Sequence, residues 1–395
     1  PVTCSYDDDN SENYPQNFGQ DDTFAGRITG QGNTDDNGHG VFKYAPPTGF
    51  LALCSANLPI SADIDPAQTD DDYVGGKFFN TVTYTGTGSS NAITGVGFQP
   101  DWTWLKARSE TEYNFLYDAV RGATKGLSSD LTIGEDTYSS GLTAFASDGF
   151  TLGSSNGINR NGTTYASWNW KANGQGSSNT DGSINTTYTS VNTTAGFSIS
   201  TYTGTGSAAT VGHGLGVAPK MIITKNISTT TNWHVYHEAI GATKYLHLNL
   251  TNAEGTASSV WNNTAPTSSV FSIGTGDGTN KSGDTIVAYC FAEKTGYSKF
   301  GSYTGNGNAD GTFVYTGFKP AWIMFKHTSS ADNWEIYDNK RLGHNVDNEH
   351  LFPNLNNAEA SADRLDILSN GFKSRIDSTG INGNGSNYIE KYNRD

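Results

Sequence analysis

GFQPDWTWLK, residues 97–106, sets two tryptophans two positions apart just after a proline and closes on a lysine. In an extended segment these two side chains share a face, where flat rings either stack on a ligand or fill a core. The choice is decided by recurrence. GVAPKMIITK (216–225) and GFKPAWIMFK (317–326) repeat the glycine, the proline and the lysine. Counted from the proline, the second position holds Trp102, Met221 and Trp322, and the fourth holds Trp104, Ile223 and Met324. Methionine and isoleucine offer a sugar no flat face, but they fill a core as well as tryptophan does after repacking. The run therefore predicts a strand with a buried face. Lys106, Lys225 and Lys326 at its end are expected to snorkel toward water, with Asp118 or Asp338 as ionic partners.

Working outward, the recurrence extends over most of the chain. YTGTG (84–88), YTGTG (202–206) and YTGNG (303–307) each precede the proline by 16 or 17 residues. NFLYDAVRGATKGL (114–127), WHVYHEAIGATKYL (233–246) and WEIYDNKRLG (334–343) follow in phase. SDGFTLG (147–153), SSVFSIG (268–274) and SNGFKSR (369–375) then align on a phenylalanine. TYASWNWKA (164–172) and TIVAYCFAE (285–293) close two copies with alternating aromatics. SNYIEKYNRD (386–395) lacks that pair, which predicts a different or shortened last strand.

Short period-two runs bounded by Gly- and Asn-rich turns predict an all-β chain. The expected organisation is an N-terminal loop-rich docking segment (1–75), then antiparallel β-sandwich repeats of jelly-roll or lectin-like type at 76–175, 196–296 and 297–395. NGQGSSNTDGSINTTYTSVNTT (173–194) makes 176–195 a Gly/Ser/Asn/Thr linker. Single helical turns are expected near 253–255 and 358–360, with Asn252 and Asn357 as N-caps.

Composition agrees. The chain has 395 residues, 47 of them glycine, with 16% charged and 12% aromatic residues. Charged residues usually make up about 25%. The aromatics argue against disorder. A net charge of −15 argues against nucleic-acid binding. No run of about 18 apolar residues exists to span a membrane as a helix. PVTCSYDDDN at the start does not read as a signal peptide.

Chemical motifs are few. GSSNG (153–157) has the letters of a nucleophile elbow without its strand-to-helix setting. GTGDGTNKS (274–282) has Asn280 where a phosphate-binding loop needs glycine. His234 and His237 are close enough in sequence to share a ligand, but the sister copies carry no histidine there. No catalytic residue, metal site or cofactor is assigned. Ca²⁺ is considered only for the Asp/Asn-rich turns 6–10, 33–38 and 69–73. Of the three cysteines, Cys4 and Cys54 are the pair considered for a disulfide. Trp168 and Trp170 match Tyr289 and Phe291, so every member of that set is aromatic. These two tryptophans are the ligand-stacking candidates, weighed against a place in the core.

The combination YTGTG, ITGVGFQPDW, YDAVRGATKGLSS, SDGFTLGS and WNWKANG resembles a repeat of unassigned function in structural proteins of marine tailed bacteriophages. Residues 18–59 resemble the segment that precedes such repeats, often trailing a SPRY-like sandwich. The resemblance implies a non-enzymatic virion component on the exposed particle surface, of tail-fibre or appendage type. Its implied partners are other virion proteins and a host-surface glycan or protein, and the chain is expected as a homo-oligomer, a trimer. A capsid decoration or head fibre, and a secreted carbohydrate-binding module, are the alternatives.

Overall fold

A computed structural model describes residues 18–57, 75–341, 345 and 347–395. The chain divides into two compact units, 1–61 and 62–395.

In the first unit, buried Asp35 holds the turns together. Its Oδ1 accepts the amides of Asn37 and His39 at 3.0 and 2.8 Å, and its Oδ2 accepts those of Ala52 and the Asn57 side chain at 2.7 and 2.5 Å. Both carboxylate oxygens of Asp35, in the acidic turn 33–38, are thus occupied by the chain itself. Burial pushes the Asp35 carboxyl up, but these four donors outweigh it and hold the pKa at about 2. The turns 6–10 and 69–73, and Cys4, whose pairing with Cys54 is the disulfide considered, lie outside the described residues.

The second unit is all-β, and every ladder between its strands is antiparallel. Its long sheets share one plan. In the first segment Phe79–Thr85, Thr164–Trp170, Trp102–Ala107 and Phe115–Asp118 lie side by side in that order. In the second the order is Phe197–Thr203, Thr285–Phe291, Met221–Asn226 and His234–His237. In the third it is Ser298–Thr304, Asn387–Asn393, Trp322–His327 and Trp334–Asp338. The opening and closing strands of each segment are hydrogen-bonded neighbours. Asn387–Asn393 is therefore a full-length counterpart of the other closing strands, although its pattern differs.

The YTGxG stretch has a structural cause. The Tyr84, Tyr202 and Tyr303 hydroxyls donate to the carbonyls of Ile158, Thr279 and Ile381 at 2.8, 2.7 and 2.7 Å. A buried asparagine one residue further on, Asn159, Asn280 or Asn382, accepts the amide of Thr87, Thr205 or Asn306 through Oδ1. A Cβ on Gly86, Gly204 or Gly305 would stand 2.2–2.4 Å from a carbonyl oxygen, so only glycine fits there.

Each long sheet covers a core of its own with one face, where Tyr202, Phe271 and Ile286 meet in the second segment. The opposite faces of the three long sheets meet in a single shared core. That core joins Trp102, Trp104, Trp168 and Trp170 to Met221, Tyr289, Phe291, Trp322 and Trp334. All six residues of each proline-led strand are consequently buried. Sandwiches standing in series would leave one face of each long sheet in water; the tryptophan, tyrosine and methionine rows on that face bring them together instead.

The expected linker departs from expectation too. Tyr188–Asn192 is a strand paired with Phe197–Thr203 at the edge of the second long sheet. Gly255–Thr256 and Ala360–Leu368 are strands at or beside the expected helical turns. The short helices are Asn156–Asn159, Ser258–Trp261 and Asp277–Asn280.

Candidate functional site

The stacking candidates are inside the shared core. Trp168 and Trp170 are 0% and 1% exposed. Trp168 Nε1 donates to Asp338 Oδ2 at 2.9 Å, and Trp170 Nε1 to Asn393 Oδ1 at 3.3 Å. Neither ring face is open to a ligand. Lys106, Lys225 and Lys326 do not snorkel: each is 0% exposed. Their ammonium groups donate to backbone carbonyls, such as Glu112 at 2.8 Å, Asn226 at 2.8 Å and His327 at 2.5 Å. Asp118 and Asp338 instead bind Arg121 and Arg341 at 2.6 and 2.7 Å. His234 stacks edge-on against His247, while His237 Nε2 lies 3.2 Å from the Glu390 carbonyl. No cluster of metal-ligating side chains occurs among the described residues.

Burial of the lysines has a measurable consequence. It pushes the amines down to about 8 at Lys106 and Lys326 and about 7 at Lys225. An unfolded lysine titrates near 10.4, so above these values the unfolded chain binds the more protons and stability rises with pH. Burial pushes Glu390 up to about 8, which acts oppositely: its contribution falls as pH rises from the unfolded carboxylate range to 8. Burial also pushes the Cys290 thiol up, which lowers stability once unfolded thiols ionise at about pH 8.5. One thiol against three lysines still leaves the unfolding midpoint climbing between pH 8 and about 9.5, before unfolded tyrosines ionise. Lys225→Met should flatten that climb in thermal melts across the interval. A midpoint that falls over it would contradict the assignment.

The three segments meet through contacts that recur in cyclic order. The backbone amides of Glu112, Thr231 and Asp332 donate to the carbonyls of Asn356, Thr132 and Thr251 at 2.9–3.0 Å. Those of Glu359, Glu135 and Glu254 donate to Arg108, Ile227 and Thr328 at 2.8 Å. The Asn114 amide and the Trp233 and Trp334 indoles reach the carbonyls of Phe352, Ser128 and His247 at 3.2, 2.9 and 2.9 Å. In every set the first segment donates to or accepts from the third just as the second does with the first and the third with the second. The unit has pseudo-three-fold order within one chain.

The contact between the second and third segments breaks the pattern. At the first–second contact, Arg121 reaches Glu135 at 3.2 Å, and the Glu135 amide donates to the Ile227 carbonyl. At the third–first contact, Arg341 and Arg108 bind Glu359 at 2.9 and 2.8 Å. The corresponding residues at the second–third contact are Ile240 and Thr328. Both are smaller, and a cleft of about 320 Å³ opens there. Ile240, Lys244, Glu254, Ser302, Thr328 and Asn387 line it. Lys244 pairs with Glu254 Oε1, as Lys125 pairs with Glu135. Oε2 of Glu254 has no side-chain partner among the described residues, whereas the matching oxygens of Glu135 and Glu359 each accept an arginine.

The interior of this contact diverges as well. Trp168 and Tyr289 donate to Asp338 and Asp118 at 2.9 and 2.7 Å. In the third segment Lys391 holds the register of Trp168 and Tyr289, and in the second His237 holds that of the two aspartates. Lys391 Nζ donates to Asn393 Oδ1 and sits 4.5, 4.6 and 5.1 Å from the rings of Trp322, Phe291 and Trp170, one from each segment. Burial pushes its pKa well below the usual lysine range. Arg121, Ile240 and Arg341 each stand three residues after the aspartate or histidine, so the divergence can be read in YDAVRG, YHEAIG and YDNKRL. That it opens a cleft depends on which segments touch, and the letters do not carry that.

A family model described as a domain of unknown function (DUF7483) matches residues 74–391. No curated protein matches the chain.

Proposed function

We propose that this chain, which belongs to the DUF7483 family, is a structural component of a tailed-phage virion, of tail-fibre or appendage type. The resemblance of its recurring motifs to phage structural proteins motivates the reading. The observation that carries it is the cyclic set of contacts around one shared core: three corresponding segments joined in this way suit a particle built on symmetry axes. In this proposal one chain supplies the three-fold unit that separate subunits would otherwise form. The apolar faces that a trimer would bury between copies are already buried within the chain. Burial of Trp168 and Trp170 removes the observation that would have favoured a carbohydrate-binding module.

Two measurements test it. Light scattering of the purified chain should give a single-chain mass of 42.2 kDa. Subnanometre reconstruction of particles should place the 62–395 unit on a tail appendage. A trimer mass would overturn the single-chain unit. Density on the capsid would shift the location to a head decoration. Absence from particles, with the protein present in uninfected cells, would overturn the virion assignment.

A further inference from the structure

The cleft between the second and third segments lacks the two arginines that fill the third–first contact and retains the carboxylate that they bind there. We propose that this cleft is a binding site for a guanidinium group, the head of an arginine, supplied from outside the chain.

The argument is an internal comparison. Glu135, Glu254 and Glu359 occupy corresponding places, each fixed by the same 2.8 Å backbone bond to the neighbouring segment. Glu135 holds a lysine on one oxygen and an arginine on the other. Glu359 holds arginines on both. Among the described residues Glu254 holds only Lys244, and the adjoining volume is open. Lys125 and Arg121 share Glu135, so the presence of Lys244 does not prevent a second cation from binding Glu254. A planar fork of donors matches a carboxylate better than a compact ammonium does. The lining hydroxyls and amide of Ser302, Thr328 and Asn387 offer further acceptors around that fork. Ile240 and Ile389 supply the apolar wall along which the methylenes of an arginine lie. The net charge of −15 favours a cationic ligand. This inference stands independently of the virion reading.

Calorimetric titration of the full chain tests it, with Nα-acetyl-arginine methylamide, free arginine and the capped lysine analogue as probes. Capped arginine should bind at least roughly ten-fold more tightly than capped lysine. Binding of free arginine at equal strength points to a small-molecule source, and preference for the capped form to an arginine within a partner polypeptide. Either supports the site. Glu254→Gln should weaken binding by roughly ten-fold or more. Ile240→Arg should abolish it by filling the cleft from within. Should that variant fail to fold, Thr328→Arg, which introduces the residue found at position 108, serves the same purpose. No detectable arginine binding, equal binding of the lysine analogue, or binding unchanged in Glu254→Gln would overturn the proposal.

Discussion

Trp102→Ala is expected to destabilise the 62–395 unit by about 3–5 kcal/mol, read from urea unfolding. The side chain is 1% exposed and lies where two segments meet. Its ring centroid is 4.6 Å from Trp170 and 4.6 Å from Tyr289, and 5.8 Å from both Phe197 and Phe291. Truncation therefore leaves a cavity lined by two segments, and neither can relax into it without breaking the cyclic backbone bonds. The indole N–H has no acceptor among the described residues. Trp102→Phe removes that orphaned donor and keeps an aromatic ring, so it should cost less than about 1.5 kcal/mol. A loss under about 1 kcal/mol for the alanine variant would show that the shared core contributes little. Ile133→Ala, at a side chain 39% exposed, is the control and should stay within about 0.5 kcal/mol.

Asp338→Ala should cost a comparable amount, about 3–5 kcal/mol, by a different mechanism. The Asp338 carboxylate accepts Arg341 Nε at 2.7 Å, Trp168 Nε1 at 2.9 Å and the Lys340 amide at 3.0 Å. Arg341 and Asp338 have side chains 0% exposed. Removing the carboxylate leaves a buried guanidinium with one carboxylate partner in place of two; among the described residues it keeps Glu359 and the Ile336 carbonyl. The second segment indicates the remedy, since it has His237 and Ile240 at these places. Asp338→His with Arg341→Ile should recover at least half of the loss, because no buried guanidinium is then left with one carboxylate in place of two. If the double variant is as unstable as the single, the loss comes from packing around Trp168 and not from the guanidinium.

Much of the fold is legible in the chain. The exchange of Trp102 for Met221, and of Trp104 for Ile223, marks a core face in the letters alone. Glycines in YTGxG mark close backbone approaches. What stays hidden is which core that face enters. A strand buried on both sides has no polar face to reveal it, and IITK and IMFK read the same whether they cover their own sandwich or a neighbour. The third closing strand is hidden for another reason. Glu390 and Lys391 place ionisable side chains at buried positions, so YIEKYN looks like surface while it occupies the middle of its sheet. The cleft is less legible still, for it exists through two absences, at Ile240 and Thr328, that become neighbours only when the second segment meets the third.

The arrangement of three corresponding segments in one chain carries a consequence for stoichiometry. In a ring of three identical subunits any change at one contact is copied to the other two, so a site there comes in threes, or every contact loses its arginine at once. Covalent linkage frees each contact to vary alone. Two keep an arginine, Arg121 or Arg341, on the glutamate at the contact, while the third has Ile240 and an open cleft. The valency of such a block is one, and its direction is fixed: a ligand held at that cleft gives a nearly symmetric body a single front.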